Sequence, residues 1–140
     1  MSDGATPAVE GLFREAEDGA RLCGSRCAHC GTPAFPKSAL CHSADCDDSQ
    51  MQDAEFGPNG TVWSYSVQHY PPPPPAIVPD PYEPYALGVV DLEDGLRVVG
   101  RLTSTDPAQI GAGSAVRLVV GEIGIDTEGK ARSSWIFEPA

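Results

Sequence analysis

Apolar positions along the chain follow two periods, one after the other. Between residues 7 and 19 they recur at helical spacing, with Val9, Leu12, Phe13 and Ala16 at i, i+3, i+4 and i+7, which predicts a short amphipathic helix. Thr6 suits the cap, Pro7 the first helical position and Gly19 the stop. A helix this short needs a surface that buries Leu12 and Phe13, on its own domain or on a partner.

From Gly60 onward the period is two. The stretch Thr61–Tyr70 alternates, which assigns Trp63, Tyr65 and Val67 to one face and Ser64, Ser66 and Gln68 to the other. Tyr85–Asp91 and Leu96–Leu102 flank Glu93-Asp94-Gly95, a hairpin signal. Ala115–Ile123 and Ser134–Phe137 pair across residues 124–130. Five strands with connections of unequal length predict a mainly β fold, a five-stranded closed barrel of the OB type. The chain then divides into an N-terminal helical segment over 1–20, a cysteine-rich segment over 21–56 and the barrel over 57–140.

Between the first two strands lie eight prolines in the fourteen residues from Pro71 to Pro84. The unbroken run Pro71–Pro75 predicts stiff, extended polyproline II without backbone donors. Two readings stand: a rigid barrel loop, or a ligand or partner surface, since Tyr70, Tyr82 and Tyr85 flank it.

Charge narrows the function classes. The chain has 20 acidic and 9 basic residues in 140, a formal charge of −11. A field of that sign repels phosphate backbones and anionic membrane surfaces. Trp63, Tyr65 and Trp135 are the right chemistry for base stacking, but Arg97, Arg101, Arg117, Lys130 and Arg132 are scattered among more numerous acids. Neither nucleic acid nor membrane is expected as a partner. The N-terminal stretch Met1-Ser-Asp-Gly-Ala-Thr-Pro7 has no basic region and no apolar run, so a secretory signal is not expected and a cytoplasmic setting is.

Four of the five cysteines fall within the twenty residues from Cys27 to Cys46, as Cys27-x-x-Cys30 and Cys41-x-x-x-x-Cys46 with ten residues between the pairs. An odd count in a reducing compartment argues against a disulfide framework. Paired cysteines at short spacing deliver two sulfurs each to one tetrahedral ion. The segment has few large apolar residues, and binding free energy on the order of 10 kcal/mol or more for structural zinc stands in for the missing core. Cys27, Cys30, Cys41 and Cys46 are therefore the expected ligands of a structural Zn²⁺. Iron in a rubredoxin-like centre is the alternative, which makes an electron-transfer role a competing function. Cys23 and His42 are the possible substitutes for a ligand.

A filled four-cysteine site leaves no open position for water, so the metal is expected to be structural rather than catalytic. Gly111-Ala-Gly113 lacks the Lys-Ser/Thr tail of a phosphate loop, and Glu93-Asp94 and Asp47-Asp48 read as solvated turns. Only residue type supports a Cys23–His69 catalytic pair. No catalytic residue is expected.

A short helix, then Arg26-Cys27-Ala-His-Cys30-Gly31, then Phe35-Pro36, a second cysteine pair and an OB barrel: this order resembles the acyl-CoA-associated zinc ribbon/OB-fold proteins, long catalogued only as a domain of unknown function. The resemblance continues through Gly60-Thr-Val-Trp-Ser-Tyr65, Pro81-Tyr82-x-Pro84-Tyr85, Val89-Val90-Asp91, Gly95–Leu102, Asp106-Pro107, Ile110-Gly111, Val116-Arg117 and Trp135-Ile-Phe137. It implies a non-catalytic subunit that stabilises a thiolase-like partner of the sterol-carrier-protein type, or a hot-dog-fold hydratase. The partner would act on acyl-CoA thioesters, steroid or other side chains among them, with CoA as a possible shared ligand. Phe13, Phe35, Tyr70, Tyr82, Pro84 and Tyr85 are the expected partner or acyl-CoA contacts. The gap between Cys41 and Cys46 and the long proline run depart from the family pattern.

Overall fold

A computed structural model of the chain describes residues 6–8, 11–73 and 76–140. No helix occurs among the described residues. The segment expected to be helical instead holds strands β1 (Thr6–Pro7) and β2 (Phe13–Ala16), and Val9 lies outside the described residues. Strand pairing wins for a physical reason. An isolated helix of this length is marginal in water, whereas β2 pairs antiparallel with β3 (Gly19–Cys27), Phe13 opposite Leu22 and Ala16 opposite Gly19. The Arg14 guanidinium then meets the Glu55 carboxylate.

Strand β3 is the spine of the small sheet. It pairs with β2 at its start, with β4 (Pro33–Ala34) near its end, and with β5 (Met51–Phe56) from Leu22 to Cys27. Alternation along β3 buries Ala20, Leu22 and Gly24.

The five barrel strands are β6 (Asn59–Gln68), β7 (Tyr85–Leu92), β8 (Arg97–Leu102), β9 (Ala115–Ile125) and β10 (Ala131–Pro139). Their hydrogen-bonded order is β9-β6-β7-β8-β10, and β10 pairs back onto β9 to close the ring. Within the ring, β8 and β10 run parallel and the other pairs antiparallel. β1 adds a parallel edge to β10. This is the five-stranded closed barrel read from the period-two stretches, with Glu93-Asp94-Gly95 turning the β7–β8 hairpin. Leu92 and Gly95 supply its turn hydrogen bonds.

One face assignment fails. A β-bulge shifts the β6–β7 register between Val62 and Ser64, and an inserted residue resets the alternation. Val62 is buried, Tyr65 and Val67 pack against the core, and Trp63 stands outward at 58% exposure.

A single apolar cluster underlies both sheets. Ala20, Leu22 and Phe56 from the small sheet join Val90, Leu118 and Phe137 from the barrel. The proline loop is drawn back onto the barrel, where Val78 makes an isolated bridge to Ile125. This depends on Gly124: its φ is +144°, and a Cβ there would lie 2.2 Å from the Val78 carbonyl.

Candidate metal centre

Strand β3 delivers Cys27, buried at its C-terminal end, and the following turn brings Cys30 back beside it. The Gly31 N–H donates to the Cys27 carbonyl at 2.8 Å, and Gly31 adopts φ +80°, which favours glycine. Pairing of β3 with β5 fixes the start of this turn, and Ala28 N–H donates to the Gln50 carbonyl. The loop from Ser38 to Ser49 supplies Cys41 and Cys46, and Ser49 Oγ accepts from the Cys41 N–H at 2.8 Å.

The sulfurs of Cys27, Cys30, Cys41 and Cys46 all lie within 4.8 Å of one another. Cys27 and Cys46 are 3.8 Å apart and Cys30 and Cys41 3.4 Å apart, sulfur to sulfur. A tetrahedral zinc with Zn–S bonds of about 2.3 Å requires sulfurs about 3.8 Å apart. The donor set and its spacing fit such an ion. They fit tetrahedral iron as well. Cys23 and His42 stand outside the converging group: Cys23 lines a cleft with Lys37 and Glu55, and His42 lines another with Phe35 and Leu96. His29 lies beside Asp47 and Asp48, at 3.7 and 3.9 Å.

The protein prepares these thiols unequally. The Gln50 backbone N–H, followed by that of Cys30, pulls the Cys27 thiol down to about 6. The Thr32 hydroxyl, 3.1 Å from the sulfur, lowers Cys30. The Asp48 N–H favours the Cys46 thiolate, but desolvation and the three neighbouring sulfurs outweigh it and push that thiol up to about 12. Crowded thiolates repel one another, and a dication reverses the balance.

Arg26 ties the knuckle to the barrel. It donates to the Gly31 carbonyl at 2.7 Å and to the Asp94 carbonyl in the β7–β8 turn at 2.8 Å. Its guanidinium also lies over the Phe56 ring, 5.4 Å from the centroid. Asp94 Oδ2 in turn accepts from the Gly57 N–H, at the junction of β5 and β6. Arg26 was legible only as part of a motif, because its partner Asp94 lies 68 residues on.

The other singled-out residues form two groups. Phe13 and Phe35 both pack edge-on against Trp135 of β10, with ring centroids 6.1 and 5.3 Å away. Tyr82 donates its hydroxyl to the Gln68 carbonyl at 2.7 Å and packs against Tyr85, while Tyr70 is 85% exposed and Pro84 is exposed. Arg101, to which the sequence reading gave no structural role, organises this second group. It lies 3.9 Å from the Tyr85 ring centroid and donates to the carbonyls of Ile77 in the proline loop and Ile123 in β9. A cleft of about 600 Å³ opens there, lined by Pro84, Tyr85, Arg101 and Glu122 among others. No local signal marks Arg101, since its acceptors are 22 and 24 residues away.

A tetracysteine knuckle on a small β sheet, joined through one core to an OB-type barrel, defines the class of protein. The family model for the ChsH2 C-terminal OB-fold domain matches residues 54–121. A DUF35 domain-containing scaffold protein of Methanothermobacter thermautotrophicus is 30% identical, covering 73% of this chain and 73% of that protein. A chain of the solved structure titled Ltp2-ChsH2(DUF35) aldolase is 31% identical, covering 85% of this chain and 84% of that one with a TM-score of 0.60. The 3-oxo-4,17-pregnadiene-20-carboxyl-CoA hydratase alpha subunit of Mycobacterium tuberculosis is 40% identical over 41% of this chain and 17% of its own length. The chain belongs to the DUF35 family.

Proposed function

We propose that this chain is a non-catalytic accessory subunit that binds and stabilises a thiolase- or aldolase-type enzyme acting on acyl-CoA thioesters. The observation that carries the reading is the 31% identity, over most of both chains, to a chain of a structure titled as an aldolase with a DUF35 component. The scaffold-protein name of the archaeal relative and the hydratase-subunit name of the mycobacterial one support it. The latter also favours a steroid-type side-chain thioester as the partner's substrate class, and a hot-dog hydratase as the second kind of partner.

In this reading Cys27, Cys30, Cys41 and Cys46 hold one zinc. When bound, it supplies a closed four-coordinate cross-link and no reaction site. Arg26 passes the resulting rigidity to the β7–β8 turn. The chain's contribution to chemistry is positional: with Phe13, Phe35, Tyr70, Tyr82, Pro84 and Tyr85 as contacts, it closes the partner's cleft, excludes water and helps enclose the CoA ester.

Co-expression with a thiolase-like protein of the same organism, followed by size-exclusion chromatography and metal analysis, tests this. One stable hetero-complex carrying one zinc per DUF35 chain is expected, with thioester turnover found only in the complex. Turnover by the isolated chain, lost on replacing one of its own side chains, would sink the proposal. A red, iron-loaded protein would move it to electron transfer.

A further inference from the structure

The barrel wall formed by β6, β7 and β8 has an apolar centre facing outward. Val90, Val98 and Leu102 point into the core, so alternation turns Leu87, Val89 and Val99 outward. Val89 pairs with Ser64 on one side and with Val99 on the other. The bulge in β6 adds Trp63 to this wall, its ring 4.5 Å from the Arg97 guanidinium. Trp63 and Val99 are two of the four large apolar side chains left exposed among the described residues, Val99 at 54%. At the far side the Trp135 indole N–H donates to the Val99 carbonyl at 3.0 Å, and a shallow dimple of about 160 Å³ opens between Leu87, Val99, Ile123 and Trp135.

An exposed apolar patch with polar margins marks a contact surface, and the outer face of the second and third strands is where OB barrels bind their ligands. The kind of ligand follows from the charges. Arg97 is committed to a two-pronged pair with Asp91, and Arg101 to the Ile77 and Ile123 carbonyls. The two cations of the wall are thus occupied, which disfavours phosphate. The margins are acidic: Glu93 stands exposed in the turn at one end, and Glu83 and Glu122 at the cleft at the other. A second copy would bring the same acidic margin and another −11 of charge, so self-association on this face is opposed.

We propose that the β6–β7–β8 wall is the docking face for the acyl-CoA enzyme, which seats an aliphatic or aromatic side chain beside Val99 and surrounds it with basic groups. This rests on the accessory-subunit reading and gives it a location. Trp63 and Val99 form the centre of the contact, and the acidic margins set orientation and encounter rate.

The test uses the full chain and a thiolase-like protein of the same organism, with affinity measured by calorimetry. Val99→Glu and Trp63→Ala are each expected to weaken binding at least about tenfold, while Leu40→Ala, on the cysteine-rich loop and 69% exposed, leaves it unchanged. Because Val99 and Trp63 are already exposed, thermal midpoints should stay near that of the parent; should Val99→Glu misfold, Trp63→Ala decides. Full affinity in both variants would overturn the location while leaving the accessory role standing. So would loss of affinity in Leu40→Ala alone. A homodimer of the free chain dispersed by Val99→Glu, or a single-stranded oligonucleotide displaced by it, would reassign the wall and overturn the proposal. No complex with the parent chain would sink the accessory reading and the docking face together.

Discussion

Arg26 does two jobs with one planar group. Its nitrogens reach the Gly31 carbonyl on the knuckle and the Asp94 carbonyl on the barrel turn, and its face covers Phe56. Lysine has the charge but not the fork, so the two variants should separate. Arg26→Ala is expected to cost about 1–3 kcal/mol and to speed amide exchange at the knuckle and at the β7–β8 turn together. Arg26→Lys should recover only part of this. Unchanged exchange at residues 93–95 in Arg26→Ala would show that the contact carries no constraint. At this scale the clustering of the four cysteines was legible because their paired spacing is local, whereas the contacts of Arg26 and Arg101 were not, because nothing in the sequence near an arginine announces a carbonyl on another strand.

Among elements, the loop between β4 and β5 is the one that a bound ion would hold in place. Residues 35–50 contain no strand and few large side chains, and only Cys27 of the four clustered cysteines is buried. Removing metal with a chelator, or replacing Cys41 with Ala, is expected to release residues 28–50 to fast exchange and to lower the thermal midpoint, with barrel strands opening last. Equal protection of this loop with and without metal would contradict the structural role. The barrel strands were readable because β7 and β8 alternate throughout with one buried face, and β6 and β9 do so over their first residues. The N-terminal segment was misread because four apolar residues at helical spacing are weak evidence beside a neighbouring strand edge. The Trp63 assignment failed because a bulge leaves no clear mark in the alternation before it.

For the molecule as a whole, acid sensitivity follows from carboxylates held in place by cations. Arg21 lowers Asp18, Arg14 lowers Glu55, Arg97 lowers Asp91, and the Lys130 backbone N–H, with Arg132, lowers Asp126. A carboxyl whose folded pKa is depressed contributes stability above its unfolded pKa and loses it as pH falls through the folded value. These carboxylates should therefore add no slope to the thermal midpoint above about pH 5 and make it fall below about pH 4. Most of these pairs are exposed, so each contributes little. Asp126→Asn should make the acid fall shallower; a midpoint indifferent to acid would refute the linkage. The seating of the small sheet on the barrel could not be read from the sequence, because hydrophobic pattern shows which face is buried and not what buries it. Because Ala20, Leu22 and Phe56 share one cluster with Phe137 and Leu118, the knuckle is not a transplantable module. Severing the backbone between Phe56 and Gly57 would leave two fragments with bare apolar flanks. Evolution can therefore lengthen the loops of this protein far more freely than it can shuffle its halves.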